Sequence, residues 1–267
     1  MKIRISSSIS NFREKLLSRT RLQEYTFKNL FEETVFFGCY HPIDYLKFIF
    51  HFGNKKVVWC GGDITNLNKS IFWRKIIRWI PSSHLCENYG EYKLLKKCGI
   101  KARVRPLFFD KPENFPVSFT PSENPHVFIT AHSGREEEYG LGILYRISQF
   151  LPKVTFHIYG SERPGNLQLE DYQENIVFHG RVPTEQFDEE IKSYQSCLRL
   201  NSFDGFGESL AKSALMGQYP ISVILYPFIS YAKNEEFIIK YLQELKDKKE
   251  PNYVASNYWH KKLKRLI

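Results

Sequence analysis

Asn201-Ser-Phe-Asp-Gly-Phe-Gly-Glu-Ser-Leu-Ala-Lys-Ser-Ala-Leu-Met-Gly-Gln-Tyr-Pro-Ile-Ser222 is the stretch whose reading decides the fold. The apolar run just before it, Cys197–Leu200, reads as a buried strand. Gly205 and Gly207 then open a turn that allows close backbone approach. Glu208–Met216 carries apolar residues at helical spacing, and Gly217 sits where a helix ends. Pro220–Leu225 follows as a second strand. Strand, turn, helix and strand in this order imply a parallel βαβ unit. The N–H groups at the start of such a helix suit a phosphate or a polar sugar. Asp204 stands just before the glycines, placed either to accept hydrogen bonds from hydroxyls or to cap the helix.

The same alternation extends outward. His126–Thr130, Thr155–Tyr159 and Asn175–Phe178 read as strands, and Gly140–Phe150, Thr184–Tyr194 and Asn234–Lys246 as helices. Asp188, Glu189 and Glu190 fall on a solvated helix face. In the first half, Thr34–Cys39, Lys56–Cys60, His84–Cys86 and Ala102–Leu107 read as strands. His41–Phe52, Ile71–Ile80 and Glu87–Cys98 read as helices between them, and residues 9–30 as a basic helix. Pro112, Pro116, Pro121 and Pro125 punctuate residues 110–125, which read as an extended linker. The expectation is an α/β chain of two Rossmann-like domains with a cleft between them. Its parts are a reduced N-terminal domain, 1–118; a ligand-binding domain, 119–250; and a basic C-terminal helix, 251–267, packing back on the first. Ligands then sit at the carboxyl ends of the strands.

Composition narrows the classes. The chain has 267 residues, 42% hydrophobic and 25% charged, which excludes bulk disorder. It contains no run of about 18 apolar residues and no apolar signal-peptide core near the start. The formal charge of +9 is uneven. Residues 1–110 hold 20 Lys/Arg against 9 Asp/Glu, a balance of +11; the remainder hold 18 against 20, or −2. The basic half therefore expects an anionic acceptor or an anionic membrane surface, with nucleic acid as a further class. Trp73 and Trp79 among Lys and Arg suit an interfacial helix as well as a core. The five cysteines include no CxxC pair, and Cys39, Cys60 and Cys86 end short apolar runs and read as buried free thiols, which speaks against a disulfide framework or zinc site. A reducing, cytoplasmic compartment, with membrane contact only at the periphery, is the expectation.

Two other turns can carry chemistry. Thr130-Ala-His-Ser-Gly-Arg-Glu-Glu-Glu-Tyr-Gly-Leu141 links a strand to a helix. Gly134 and Gly140 free backbone N–H groups there, and Arg135 can fork onto phosphate oxygens or onto its neighbouring glutamates. Trp59-Cys-Gly-Gly-Asp-Ile64 ends a first-half strand. Its Asp63 can orient an acceptor hydroxyl or close an Asx turn.

Taken in order, these segments resemble the C-terminal domain of GT-B glycosyltransferases of the GT4 type. The resemblance covers residues 126–226. It rests on Tyr159-Gly160, on the turn His179-Gly-Arg-Val-Pro-Thr184, and on Asp204-Gly-Phe-Gly-Glu-Ser-Leu-Ala-Lys212 with its helix, Gly217 and Pro220-Ile221. Trp59–Ile64 and His84–Leu107 resemble N-terminal segments of the same enzymes more loosely. The resemblance implies a retaining transfer from a nucleotide-sugar donor, with no cofactor and no metal. It assigns Asp63, Arg135 and Asp204 to catalysis. It assigns Gly134, Gly140, Gly180, Arg181, Val182, Gly205, Phe206, Gly207, Glu208 and Lys212 to the donor. The family carries two acidic residues eight apart around Gly-Phe-Gly; here the second is Lys212. The family's Lys-Gly after its arginine appears as Tyr139-Gly140. These departures motivate an alternative, a nucleotide-binding protein without turnover, and a nucleic-acid-directed transferase is the third reading.

Overall fold

The computed structural model describes residues 1–162, 173–201 and 205–266. They form two compact units: residues 1–111 with 205–207 and 265–266, and residues 112–201 with 208–264.

The first unit is built on β1 (Lys2–Ile5), β2 (Gln23–Glu24), β3 (Thr34–Phe37), β4 (Lys55–Val58), β5 (Ser83–Cys86) and β6 (Arg103–Val104). They make one parallel sheet in the order β2-β1-β3-β4-β5-β6. Its helices are α1 (Arg13–Thr20), α2 (Pro42–Ile49), α3 (Gly62–Lys69), α4 (Ile71–Trp79) and α5 (Tyr89–Lys97). Side chains alternate across the sheet, as a strand requires. Val35 and Phe37 join Ile3, Ile5 and Leu16 of α1 in one core, together with Leu266. Phe36, Val57 and Trp59 join Phe48, Ile64, Ile77 and Leu95 in the other. Residues 9–30 are not one helix: α1 takes eight of them, and the chain then extends to form the edge strand β2. β1 pairs with β3 through all four of its residues.

The second unit has β7 (His126–Thr130), α6 (Leu141–Ser148), β8 (Thr155–Tyr159), β9 (Ile176–Gly180), α7 (Thr184–Glu190), β10 (Ser196–Arg199), α8 (Glu208–Leu215), β11 (Ile221–Ser222), β12 (Ser230–Tyr231), α9 (Glu235–Gln243) and α10 (Tyr253–Leu263). Its parallel sheet runs β12-β11-β10-β7-β8-β9. Relabelled from β7, this is the order 3-2-1-4-5-6 of a dinucleotide-binding Rossmann sheet. Val127, Ile129, Phe156, Ile158 and Leu198 line one face beneath α6 and α9.

The proline-rich stretch is not a free linker. Phe115 and Phe119 are buried, the Ser118 N–H donates to the Met216 carbonyl at 3.0 Å, and the Gln195 amide donates to the Thr120 carbonyl at 2.8 Å. These apolar anchors put the break between the units at 111/112 rather than at 118. The C-terminal helix α10 is fixed to α8: Ser256 Oγ donates to the Leu215 carbonyl at 2.7 Å and Trp259 is fully buried.

Candidate functional site

In an open doubly wound sheet, ligands bind beyond the carboxyl ends of the strands where the strand order reverses. In the second unit that point lies between β7 and β10, which are neighbours in the sheet. β7 leads into residues 131–140, one of the three turns singled out from sequence; the Gly-Phe-Gly segment belongs to the first unit.

The turn after β7 is organised by its own acidic residues. Glu136 Oε1 accepts hydrogen bonds from the Gly134 N–H at 2.9 Å and from Ser161 Oγ at 2.8 Å. Hydrogen bonds from backbone N–H groups and Ser161 hold its carboxyl below the usual range. Arg135 donates from both Nε and Nη2 to Glu138 Oε2 and lies 5.8 Å from the centre of the Tyr139 ring. Its hydrogen bonds lower the Glu138 carboxyl in turn. A Cβ on Gly142, in the first turn of α6, would come within 2.9 Å of the Glu137 carboxylate. Residues 136–139 form a single 3-10 turn, and α6 begins after Gly140, where the helix was expected. Gly140 has φ +79°, and a Cβ there would lie 2.4 Å from Leu200 Cβ. That contact with the end of β10 requires a glycine whatever ligand binds. Gly134 faces open space.

At the end of β9, the Gly180 carbonyl accepts from the Gly160 N–H at 2.7 Å. Arg181 beyond it is exposed and Val182 half-buried, before α7. Glu208 opens α8 and is half-buried. Asp204 lies outside the described residues.

Lys212 is buried in α8. Its ammonium lies 2.5 Å from Asp188 Oδ1, with the rings of Phe115 and Phe187 at 5.1 and 5.4 Å. It was expected on a phosphate or a ribose; it is instead one half of an internal ion pair. Asp188 and Glu190 differ from the expected solvated face for the same reason. Asp188 meets Lys212, and Glu190 accepts from the Tyr159 hydroxyl at 2.6 Å.

Tyr159 belongs to a polar layer that sequence reasoning missed. His126 Nδ1 and His157 Nε2 are 2.8 Å apart, and His157 Nδ1 and His179 Nε2 are 2.9 Å apart. The imidazoles cross β7, β8 and β9 on the sheet face opposite the apolar core. Tyr159 stacks on His179 at 4.3 Å and Tyr194 on His157 at 4.4 Å. Burial, then the two neighbouring imidazoles, push His157 down to about 4. No motif flags such a row, because its members lie 31 and 22 residues apart and meet only once the strands pair.

In the first unit, Asp63 is fully buried. Its carboxylate accepts from the N–H groups of Cys39 at 3.1 Å, Cys60 at 3.0 Å and Ile64 at 2.9 Å. Burial pushes it up to about 6, against those three donors, which favour the charged form. Asp63 thus ties the end of β3 to the start of α3. Both of its oxygens accept from these backbone groups, and the turn-closing role is the one the geometry supports. Within the same unit, Glu87 Oε2 accepts from the Phe206 N–H at 2.9 Å. A Cβ on Gly205 would fall 2.3 Å from the Glu87 carboxylate, so this approach needs a glycine. Gly207 follows with φ +79°. Among the described residues, no group of three or more His, Cys, Asp or Glu is arranged to hold a metal ion.

No family model and no curated protein matches the chain in sequence. Solved structures do match it. Anabaena HepE, solved with UDP and glucose, superposes with a TM-score of 0.65 at 11% identity, covering 94% of this chain and 84% of its own. The lipopolysaccharide outer core galactosyltransferase WaaB, in its apo form, gives 0.63 at 13%, covering 97% and 78%. The pneumococcal O-GlcNAc transferase GtfA, with UDP and GlcNAc, gives 0.55 at 14%, covering 89% and 55%. The chain spans about half the length of GtfA and of S. aureus TarM, of which it covers 50%. These neighbours share one fold, the GT-B fold of glycosyltransferases. The chain has their fold: two α/β units, each on a six-stranded parallel sheet.

Proposed function

We propose that the chain is a GT4-like glycosyltransferase that moves a sugar from a nucleotide-sugar donor to an anionic or membrane-associated acceptor, with retention at the anomeric carbon and without a metal. One observation carries this reading. The second sheet has the strand order of nucleotide-binding Rossmann folds, and the turn after β7, at its point of reversal, offers N–H groups that already hold a carboxylate. The fold shared with HepE and GtfA, both solved with UDP, supports a uridine nucleotide as the first donor to test.

In this reading Arg135 and the Gly134 N–H stabilise the charge that builds on the leaving diphosphate, the main catalytic contribution in such a site. Gly180–Val182 present backbone to the base, and Asp204 holds sugar hydroxyls. The bond from the anomeric carbon to the diphosphate oxygen breaks, the acceptor oxygen bonds on the same face, and the acceptor proton passes to the diphosphate. Incubation with UDP-, GDP- and ADP-sugars, read by donor hydrolysis and thermal shift, tests the activity. Silence from all three would sink it. The anomeric configuration of the product, read by proton NMR, tests retention.

A second reading, nucleotide binding without turnover, is favoured by the three consecutive glutamates around this turn. Glu136 occupies the Gly134 N–H, Glu137 approaches the first turn of α6, and Glu138 holds Arg135. It predicts a thermal shift with nucleotide and no product with any acceptor, so transfer to any acceptor eliminates it.

A further inference from the structure

Of the five exposed phenylalanines of the first unit, four precede its helix α4. Phe27, Phe31, Phe50 and Phe52 are 69%, 78%, 61% and 64% exposed. They are not on a loose loop. The N–H groups of Phe52 and Gly53 both donate to the Leu30 carbonyl, at 2.8 and 3.0 Å, and the Phe31 and Phe52 rings stack at 5.6 Å. A Cβ on Gly53 would sit 2.3 Å from the Glu32 carbonyl oxygen, so the two segments approach as closely as backbone allows. On α2 the exposed residues Ile43 and Leu46 continue the patch towards Phe50 at spacings of three and four, one stripe of a helix. Lys47 Nζ lies 5.7 Å from the Phe27 ring, which ties α2 to the first segment.

Charge tells what covers this face. The exposed Lys28 and the half-buried Lys47 stand in it, and the half-buried Lys55 and Lys56 follow it at the start of β4, against Glu32 and Glu33. Glu32 lies 3.6 Å from a further cation, Lys2. The local balance is basic, as is that of residues 1–110 as a whole. A second copy would bring two faces of like charge together. Nucleic acid stacks on aromatic rings, but Ile43 and Leu46 offer it nothing to stack on. Apolar side chains interleaved with lysines match the boundary between headgroups and acyl chains of an anionic bilayer. Among the described residues, no helix is long and apolar enough to cross a membrane.

We propose that this face, formed by residues 27–31, the outer stripe of α2 and residues 50–52, docks the protein on an anionic lipid bilayer by inserting its phenylalanines at the headgroup level. The inference deepens the reading of an anionic acceptor by naming the surface that carries it. Trp79 on α4, 81% exposed, lies outside the four-phenylalanine patch, and Trp73 stacks on Tyr45 at 4.7 Å, half-buried, so that tryptophan belongs to the packing.

The test is co-sedimentation of the full chain with vesicles of phosphatidylcholine alone and of phosphatidylcholine mixed with phosphatidylglycerol. Binding is expected only to the mixed vesicles. Phe31→Ser with Phe52→Ser should weaken it about tenfold or more, since each ring contributes that order when withdrawn from water. Lys28→Glu with Lys47→Glu should weaken it about tenfold and flatten its salt dependence. Far-UV circular dichroism and the thermal midpoint report whether each variant is folded. Donor hydrolysis, measured without lipid, should stay at the parent level in both variants, so failure here and failure of the transferase reading are separate results. The proposal is overturned if the parent ignores mixed vesicles, or if the Phe31→Ser, Phe52→Ser variant binds them as the parent does. It is equally overturned if that variant dissolves a dimer of the parent, or if a DNA oligonucleotide takes the face in place of lipid.

Discussion

The Lys212 ammonium and the Asp188 carboxylate form an ion pair whose basic member is almost wholly out of water. Removing one partner of such a pair costs far more than replacing the pair, because a buried charge loses a compensating neighbour. Asp188→Asn should therefore lower the unfolding free energy by about 3 kcal/mol. Lys212→Met, which leaves behind only a carboxylate with partial access to water, should cost about 1 kcal/mol. Urea midpoints of the two variants check the order. Asp63 gives a sharper separation of roles. Asp63→Ala leaves three buried N–H groups without their acceptor and should cost about 3 kcal/mol or more, whereas Asp63→Asn keeps one oxygen and should cost less. An Asp63→Asn variant as stable as the parent but without the proposed transfer would instead place Asp63 at the acceptor. Both residues stood out in the sequence, one by its glycine neighbours and one by its departure from a family pattern. Their partners did not. Asp188 looks like one of three solvated acids, and nothing local reveals that Lys212 lies opposite it.

At the scale of elements, the imidazole row joins three strands through side chains. His157 and His84 are both pushed down by burial to about 4, below the usual histidine value of about 6.5. Between these values the unfolded chain binds more protons than the folded one, so stability falls as pH drops through that window. Asp63, raised to about 6, has the opposite sign and offsets part of the loss as pH falls below 6. The thermal midpoint should thus decline between about pH 6.5 and 4. His157→Gln, which keeps a donor and an acceptor, should flatten the decline; an unchanged slope would remove His157 as its cause. Helices and long strands were legible because apolar spacing marks them: α6, α8 and α9 fall inside their expected ranges. β1, β2 and β12 were not. Two of them are two-residue edge strands, and β1 is a short alternating run beside the first residue. The anion-holding turn was legible as a turn, but not as one filled by Glu136.

For the whole molecule, the five cysteines are free thiols, four buried and Cys60 half-buried. Burial raises Cys39, Cys60, Cys86, Cys98 and Cys197 alike, and nearby carboxylates raise Cys39, Cys60 and Cys86 further. A thiol reagent at neutral pH should label the native chain slowly and all five cysteines at once on unfolding; rapid labelling of the native chain would contradict the burial. The two sheets differ in order, 2-1-3-4-5-6 in the first and 3-2-1-4-5-6 in the second. That asymmetry was invisible in the alternation of strands and helices, which is alike in both halves. A neutral histidine carries a single ring proton, so the two successive N···N bonds of the imidazole row can be satisfied only if all three rings adopt the same tautomer. Glu190 faces His179 Nδ1 at 3.8 Å and favours the proton there. His157 must then carry its proton on Nδ1, and so must His126. The row is polarised as a unit, and reversing it at the edge strand reverses it two strands away, with nothing heavier than a proton changing place. Nitrogen-15 shifts of the three rings would report that shared direction.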